Sequence, residues 1–382
     1  MRFVAESGLW TTGPTEPATP LVAVLEVSGA VLSWAIDDER AAAAQIAFTD
    51  VSRADWLWRV VGEEGHVALA AAVDSRTAGE PHSIEVTGVD IVPGSVDPLR
   101  RLAVGHWLRR WWPASRRDGI PALDRALLDV EVALLTAGAQ DYFTDDTLDS
   151  DVTELLAPHA TALIGHLQGD DARVRELVRA GAELADEAGV DDDGWAELSA
   201  ALEDSALVSE LELGRRDDYA LAAGTDSGPR GAAPIGRGVA SINWSAVPPG
   251  VFDAAEDTVD WSVDPAGPAV VAVVRAALIG PDPATGIAVR VRSGAVSGDG
   301  ALDADGSATL PLVDAQRQPM PESSAWDHDW PATSVIVGAD VSEPREVRDR
   351  VRRWARARLD HPADRGADKA FLAEVLASES AY

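Results

Sequence analysis

The chain has 382 residues and a formal net charge of −32, with 64 acidic residues against 32 lysines and arginines. A field of this sign repels phosphate backbones, so it disfavours binding to nucleic acids and to anionic membranes. The length predicts two or three domains, and no apolar run reaches the roughly 18 residues that a membrane span needs.

Cysteine is absent from the sequence. This excludes disulfides and thiol chemistry, and it leaves histidine and carboxylates as the candidate metal ligands. The N-terminal residues show no basic stretch followed by an apolar one, so no secretory signal is expected. The sequence therefore predicts a cytoplasmic protein without membrane insertion.

Residues 1–95 are expected to form a β-rich domain. Ser28-Gly29 separates two apolar runs and predicts a hairpin, because glycine adopts positive φ without strain. Trp56 and Trp58 are expected in the core of a small sheet. The predicted strands are 21–27, 30–36, 45–48, 67–73 and 84–92.

A basic helix is predicted to follow within residues 97–119. Trp107 and Trp111 share an apolar stripe at helical spacing, and Pro113 is expected to end the helix. Alternating arginine and tryptophan are typical of anion-binding surfaces. Pairing of the arginines with the acidic surroundings is the favoured alternative, because residues 118–218 carry a net −20. The partner-binding candidates in this segment are Arg109, Arg110, Trp111 and Trp112.

Residues 96–221 are expected to form an acidic α-helical bundle. The helices after the basic one are predicted at 122–138, 151–167, 170–190 and 191–213, and their short connections favour antiparallel packing. A cluster of acids between the first two of these helices makes a candidate calcium or magnesium site, because hard ions prefer several oxygen ligands. Capping of the helix N-termini by the same carboxylates is favoured. The cluster comprises Asp145, Asp146, Asp149 and Asp151.

A linker is predicted at 222–238, where glycine, proline and alanine dominate. After it, residues 239–341 alternate with a period of two, which predicts an antiparallel β-sandwich of immunoglobulin-like architecture. The predicted strands are 241–247, 258–264, 269–280, 287–294, 307–312 and 333–341.

Between the last two of these strands, Asp327, His328 and Asp329 stand between two tryptophans. In a strand, His328 would share a face with Trp326 and Trp330, away from both aspartates. That alternation favours packing over catalysis or metal binding. Trp326 and Trp330 remain candidates for a partner-binding surface, and the three polar residues remain weak catalytic candidates.

Residues 342–382 are predicted to form C-terminal helices that dock back on the bundle. The first carries a net +3 over 343–361 and an apolar stripe that includes Val351 and Trp354. Its arginine face is expected to dock on the acidic bundle or, alternatively, to bind an acidic partner, which makes Trp354 a partner-binding candidate.

The sequence thus predicts an α+β multidomain protein. It contains no complete dinucleotide, phosphate-loop, zincin or hydrolase motif, and no cofactor is expected. This pattern favours a non-enzymatic cytosolic adaptor or assembly component that binds other proteins. The alternative is a metal-assisted hydrolase that uses histidine and aspartate from separate segments. No feature of the sequence indicates an oligomeric state.

Overall fold

The structure, a computed structural model, describes residues 2–6, 9–13, 19–37, 44–74, 83–143, 149–190, 192–208, 233–363, 366 and 368–380. The fold is mixed α and β with antiparallel sheets, which confirms that part of the prediction. Two compact units are present. Unit 1 comprises Met1–Trp112, Leu123–Leu207 and Arg345–Tyr382, and unit 2 comprises Pro113–Ala122 and Val208–Pro344.

Ten helices lie within the described residues. They are α1 (Trp58–Asp74), α2 (Asp97–Trp111), α3 (Arg125–Gln140), α4 (Asp149–Leu156), α5 (Ala160–His166), α6 (Ala172–Glu187), α7 (Asp193–Val208), α8 (Glu322–Trp326), α9 (Arg345–Asp360) and α10 (Leu372–Ser380). None of these described helices is long and apolar enough to cross a membrane.

Thirteen strands lie within the same residues. They are β1 (Arg2–Glu6), β2 (Leu9–Thr12), β3 (Val22–Val27), β4 (Ala30–Ala35), β5 (Gln45–Phe48), β6 (Ser83–Glu85), β7 (Gly236–Ala240), β8 (Val259–Ala266), β9 (Ala269–Ala276), β10 (Ala288–Ser293), β11 (Val296–Ala301), β12 (Ser307–Pro311) and β13 (Ser334–Val337). Unit 1 holds one sheet of order β3-β4-β5-β2-β1-β6. Unit 2 holds a sheet of order β11-β10-β13 and another of order β12-β9-β8-β7.

The hairpin predicted at the start of the chain is confirmed. β3 and β4 pair antiparallel across Ser28 and Gly29, and Gly29 has a φ of 71°, which favours glycine. Trp56 is buried, as predicted, and its Nε1 donates to the carbonyl oxygen of Ser28 at 2.7 Å. Trp58 is 41 % exposed, so its predicted place in the core is wrong.

Unit 1 departs from the predicted elements at three places. Residues 67–73 lie in α1 rather than in a strand, because an alanine-rich run has high helix propensity. Within 84–92 the only described strand residues are the end of β6, and Gly88 then turns the chain with a φ of 76°. Pro158 divides the helix predicted at 151–167 into α4 and α5, since proline has no N–H to donate and disfavours the helical conformation before it.

Close packing joins the C-terminal helices to the core of unit 1. A Cβ added at Gly105 in α2 would lie 2.7 Å from Cγ2 of Val132 in α3 and 3.1 Å from Cζ of Phe371. Phe371 directly precedes α10 and is fully buried. Trp354 of α9 packs edge-on against Trp107 of α2, with ring centroids 4.8 Å apart. The apolar stripe of α9 therefore packs within this unit.

Unit 2 is built around one hydrophobic cluster to which both of its sheets contribute. The cluster includes Trp261 of β8, Val291 of β10 and Trp330. Ser297 of β11 and Val313, two residues beyond β12, form an isolated antiparallel bridge. Along β8 and β9, buried residues alternate with more exposed ones. This alternation is the period of two from which antiparallel strands were predicted.

The first described strand of unit 2 lies earlier than predicted. β7 falls at the end of the predicted linker 222–238, of which 222–232 lie outside the described residues. Residues 241–247 hold a 3-10 turn instead of a strand. Glycine allows β7 to pair closely with β8 at this point. A Cβ at Gly238 would lie only 2.6 Å from the ring of Trp261. β11 was not predicted, since its Ser-Gly-Asp-Gly stretch has low β-propensity.

The short segment Pro113–Ala122 belongs to unit 2 although α2 and α3 flank it in the chain. Asp253, which is 4 % exposed, accepts the backbone N–H groups of Arg116 and Arg117 on Oδ2 at 2.9 and 3.4 Å. The guanidinium of Arg117 donates to the carbonyl oxygens of Glu256 and Asp257. A buried carboxylate thus fixes this segment to residues much later in the sequence.

Candidate functional site

The stretch 326–330 is not a strand, so the face predicted for its two tryptophans does not form. α8 ends at Trp326, a turn follows, and Trp330 opens a 3-10 turn. Trp330 is buried at 4 % exposure, whereas Trp326 is 57 % exposed. Pro331 favours the 3-10 turn over a strand, because its fixed φ suits a helical first turn and it cannot donate to a sheet ladder.

His328 pairs with a serine rather than with its neighbouring aspartates. Its Nε2 lies 2.8 Å from Oγ of Ser293 in β10, and its ring packs on Trp330 with centroids 4.5 Å apart. Asp327 and Asp329 are exposed. Among the described residues, no three histidine, aspartate or glutamate side chains are grouped so that they could hold a metal ion. His328 is therefore linked to β10 through Ser293.

The acidic metal-site candidate falls largely outside the described residues. Asp145 and Asp146 are not described, and only the backbone of Asp149 is, within α4. Asp151 also lies in α4 and is half-buried. The role of the cluster in binding a metal ion therefore stays a prediction.

Arg109 is held in an ion-pair network around a buried carboxylate. Asp129 in α3 is 3 % exposed. Arg109 donates from Nε to its Oδ1 at 2.6 Å, while Arg125 and His159 donate to its Oδ2 at 2.9 and 2.8 Å. These bonds connect α2, α3 and the residue that precedes α5. Arg109 therefore has a structural partner in its own chain.

The rest of the basic cluster lies at the end of α2. Arg110 stacks over Trp111, with its Cζ 4.3 Å from the ring centroid. Trp111 and Trp112 are half-buried. Arg109 thus faces Asp129, whereas Arg110, Trp111 and Trp112 keep part of their surface accessible. A role of these three residues in partner binding stays a prediction.

Burial and charge oppose each other in the pKa values of the Asp129 network. Burial alone would raise the pKa of Asp129, but hydrogen bonds from His159 and Arg109 and the charges of the two arginines lower it overall. Burial, together with the charge of Arg109, lowers the pKa of His106 to about 4. At neutral pH the network thus holds a carboxylate beside a neutral His106.

A cleft of about 770 Å³ lies within unit 1, where α9 faces α2 and the residues that follow β4. We call it the arginine cleft. Its α9 residues recur at spacings of three and four, which places them on one helix face. The side chains that carry its chemistry are Arg100, Arg350, Arg353, Arg358, Trp354, His361, Asp37 and Asp368.

Three of the four arginines are paired with carboxylates of the same unit. The pairs are Arg350 with Asp37, Arg100 with Asp368, and Arg358 with Glu374. The last pair is the most buried, since Glu374 is 0 % exposed and accepts two hydrogen bonds of 2.6 Å from the guanidinium. These pairs fix the guanidinium groups at the wall of the cleft.

Arg353 differs from the other three. Its Nε donates to the carbonyl oxygen of Asp349 at 3.3 Å, and no carboxylate among the described residues pairs with its guanidinium. Nε of Arg100 is also buried without a hydrogen-bond partner in the described part of the chain. Because that Nε is buried, the donors and the positive charge that the cleft keeps accessible to a ligand are those of Arg353.

Sequence reasoning found only part of this site. Trp354 and the arginine face of α9 were candidates, because their spacing and charge are visible in the sequence. Arg100 lies in the basic helix predicted within 97–119, where an anion site was one alternative, but no local pattern places it beside α9. The excess of positive charge in two separate helices of a strongly acidic chain is the one signal that points to both.

Comparisons with known proteins give no relative from which a function could be transferred. No protein-family model matches the chain, and no curated protein or solved structure matches it. The proposal that follows rests on the geometry and charge of the arginine cleft.

Proposed function

We propose that the protein is a non-enzymatic cytosolic adaptor whose arginine cleft binds an acidic segment of another protein. The observation that carries this proposal is the concentration of four guanidinium groups around one cleft, on a chain with a net charge of −32. A guanidinium presents its donors in a planar fork that matches the two oxygens of a carboxylate. Arg353, with no carboxylate partner among the described residues, is the expected first contact.

The charge of the whole chain supports a selective role for the cleft. An acidic ligand is repelled by most of the surface, but at about 0.15 M salt exposed charges are screened beyond roughly 8 Å. The local charge at the binding position therefore decides whether the ligand stays. An acidic segment is expected to bind at the cleft and to find few competing positions on the rest of the protein.

Unit 2 would serve as a second module of the adaptor, with the immunoglobulin-like arrangement that the sequence predicts. The support is its two antiparallel sheets around a shared core. Trp326 is the candidate contact on this module, because a large, 57 % exposed aromatic side chain is typical of protein interfaces.

The test measures binding of a fluorescent glutamate-rich peptide to the full chain by fluorescence anisotropy. Arg353→Gln is expected to weaken binding about tenfold or more, since a hydrogen bond to a charged group contributes about 1.5–3 kcal/mol. Arg345→Gln is the matched control. Arg345 lies on the same helix but outside the cleft, and its side chain is 64 % exposed. Absence of binding, or equal losses in the two variants, would contradict the proposal.

A further inference from the structure

The carboxylates already present in the arginine cleft limit what a ligand can gain there. Asp37 holds Arg350 by two hydrogen bonds of 2.8 and 3.1 Å, and Asp368 pairs with Arg100 at 2.9 Å. An incoming aspartate or glutamate that took either place would replace one carboxylate by another. Such an exchange leaves the charge and the hydrogen bonds of the cleft almost unchanged, so it provides little selectivity.

The donors that remain open favour an anion with more than one negative charge. Arg353 offers both of its terminal nitrogens, and Arg350 keeps Nη1 outside its bonds to Asp37. A phosphate monoester carries a charge of about −1.5 to −2 and three acceptor oxygens. It can bridge these two guanidinium groups while the pair of Arg350 with Asp37 stays in place.

The aromatic wall of the cleft argues against a nucleotide as the phosphate carrier. A base would need a free ring face on which to stack. The ring of Trp354 is already in contact with Trp107 at a centroid distance of 4.8 Å and has Cζ of Arg358 over it at 5.0 Å. Trp354 therefore acts as an apolar wall, which suits the aliphatic part and neighbouring backbone of a modified side chain.

Resting on the proposed function, we infer that the group which the arginine cleft selects is a phosphorylated serine side chain of the partner protein. The phosphate contacts Arg353 first and extends toward Nη1 of Arg350. Its second negative charge and third oxygen give it the advantage over glutamate. The adaptor consequently binds its partner in a manner that depends on a kinase and a phosphatase acting on that partner.

Three degenerate peptide libraries test this inference against the full chain. They share mixed flanking residues and differ only in the central residue, which is phosphoserine, glutamate or serine. Anisotropy at about 0.15 M salt is expected to show binding of the phosphoserine library at least about tenfold tighter than that of the glutamate library. Arg353→Gln should abolish this difference, Arg353→Lys should reduce it because the fork is lost, and Arg345→Gln should leave it unchanged.

Each alternative outcome is decisive. Equal binding of the phosphoserine and glutamate libraries would overturn the inference and leave the proposed adaptor function standing. Failure of all three libraries would overturn both. Inorganic phosphate that binds the cleft as tightly as the phosphoserine library would assign the site to a free anion, and would thereby exclude recognition of a modified partner.

Discussion

Gly105 and Val132 allow α2 and α3 to pack at a distance that no larger residue permits, because a Cβ at position 105 would lie 2.7 Å from Cγ2 of Val132. In a free helix, alanine in place of glycine would stabilise by about 1 kcal/mol. Here the contact with Val132 and the ring of Phe371 should reverse the sign. Gly105→Ala is expected to lower the free energy of unfolding by about 1–3 kcal/mol, measured by urea denaturation.

Gly138 provides the matched control for this substitution. It lies in α3, and a Cβ there would meet nothing within 4 Å. Gly138→Ala should therefore be neutral or stabilising by up to about 1 kcal/mol. Equal effects of the two substitutions would show that packing against Val132 is not what requires glycine at position 105.

Acidification should destabilise unit 1 through His106. Its pKa in the folded protein is about 4, below the ordinary value of 6.5, so the folded state favours the neutral ring. The stabilisation that follows is complete above about pH 6.5 and is lost as the pH falls from 6.5 to about 4. The loss amounts to up to about 3 kcal/mol, because one pKa unit corresponds to about 1.4 kcal/mol.

His106→Gln should flatten the dependence of unfolding free energy on pH between 6.5 and 4. The wild type, measured under the same conditions, provides the reference slope. Below about pH 4 the wild type and His106→Gln should lose stability alike. The pKa of Asp129 is lowered, so the ion pairs around this carboxylate are lost only when it becomes protonated. An unchanged slope in His106→Gln would contradict the assignment.

The attachment of α9 should depend more on its apolar stripe than on its charges. Burial of a large side chain contributes about 1.5–3 kcal/mol, whereas an exposed ion pair contributes about 0–1 kcal/mol. Trp354→Ala removes the contact with Trp107 and should speed hydrogen exchange of the backbone amides in α9 more than Arg356→Ala does. About 0.5 M salt should speed this exchange only slightly; strong salt dependence would show that charge dominates.

His328→Ala should lower stability without removing a catalytic activity. The substitution breaks the contact with Ser293 and the packing on Trp330, at a cost of about 1–2 kcal/mol. Asp327→Ala, which changes an exposed neighbour, should leave the unfolding midpoint in urea unchanged. A hydrolytic activity of the wild type that disappears in His328→Ala, while the protein stays folded, would instead favour the hydrolase hypothesis.

Local patterns predicted most of the helices and many of the strands. The β3–β4 hairpin follows from Ser28-Gly29, and α3 and α6 follow from helical spacing of apolar residues. The predictions failed where a single residue or a contact with a distant part of the chain determines where a helix or strand begins or ends. Pro158 interrupts a helical pattern, and Gly238 makes room for the ring of Trp261, whose position depends on the folded sheet.

The candidate site was less accessible to sequence reasoning than the fold. The charge of the α9 arginines is visible in the sequence, but their carboxylate partners lie far from one another in the chain: Asp37 pairs with Arg350, and Glu374 pairs with Arg358. Nothing in the local sequence indicates which arginines those carboxylates reach. Arg353 is distinguished only by what the folded chain places around it.

The bond from Arg116 to Asp253 spans 137 positions of the sequence, and it affects how this protein can be dissected experimentally. Neither unit corresponds to an uninterrupted stretch of the gene. A fragment that starts at residue 208 lacks the backbone donors of Arg116 and Arg117 and leaves the buried carboxylate of Asp253 without them. A recombinant version of unit 2 would need Pro113–Ala122 grafted onto it by a designed connection.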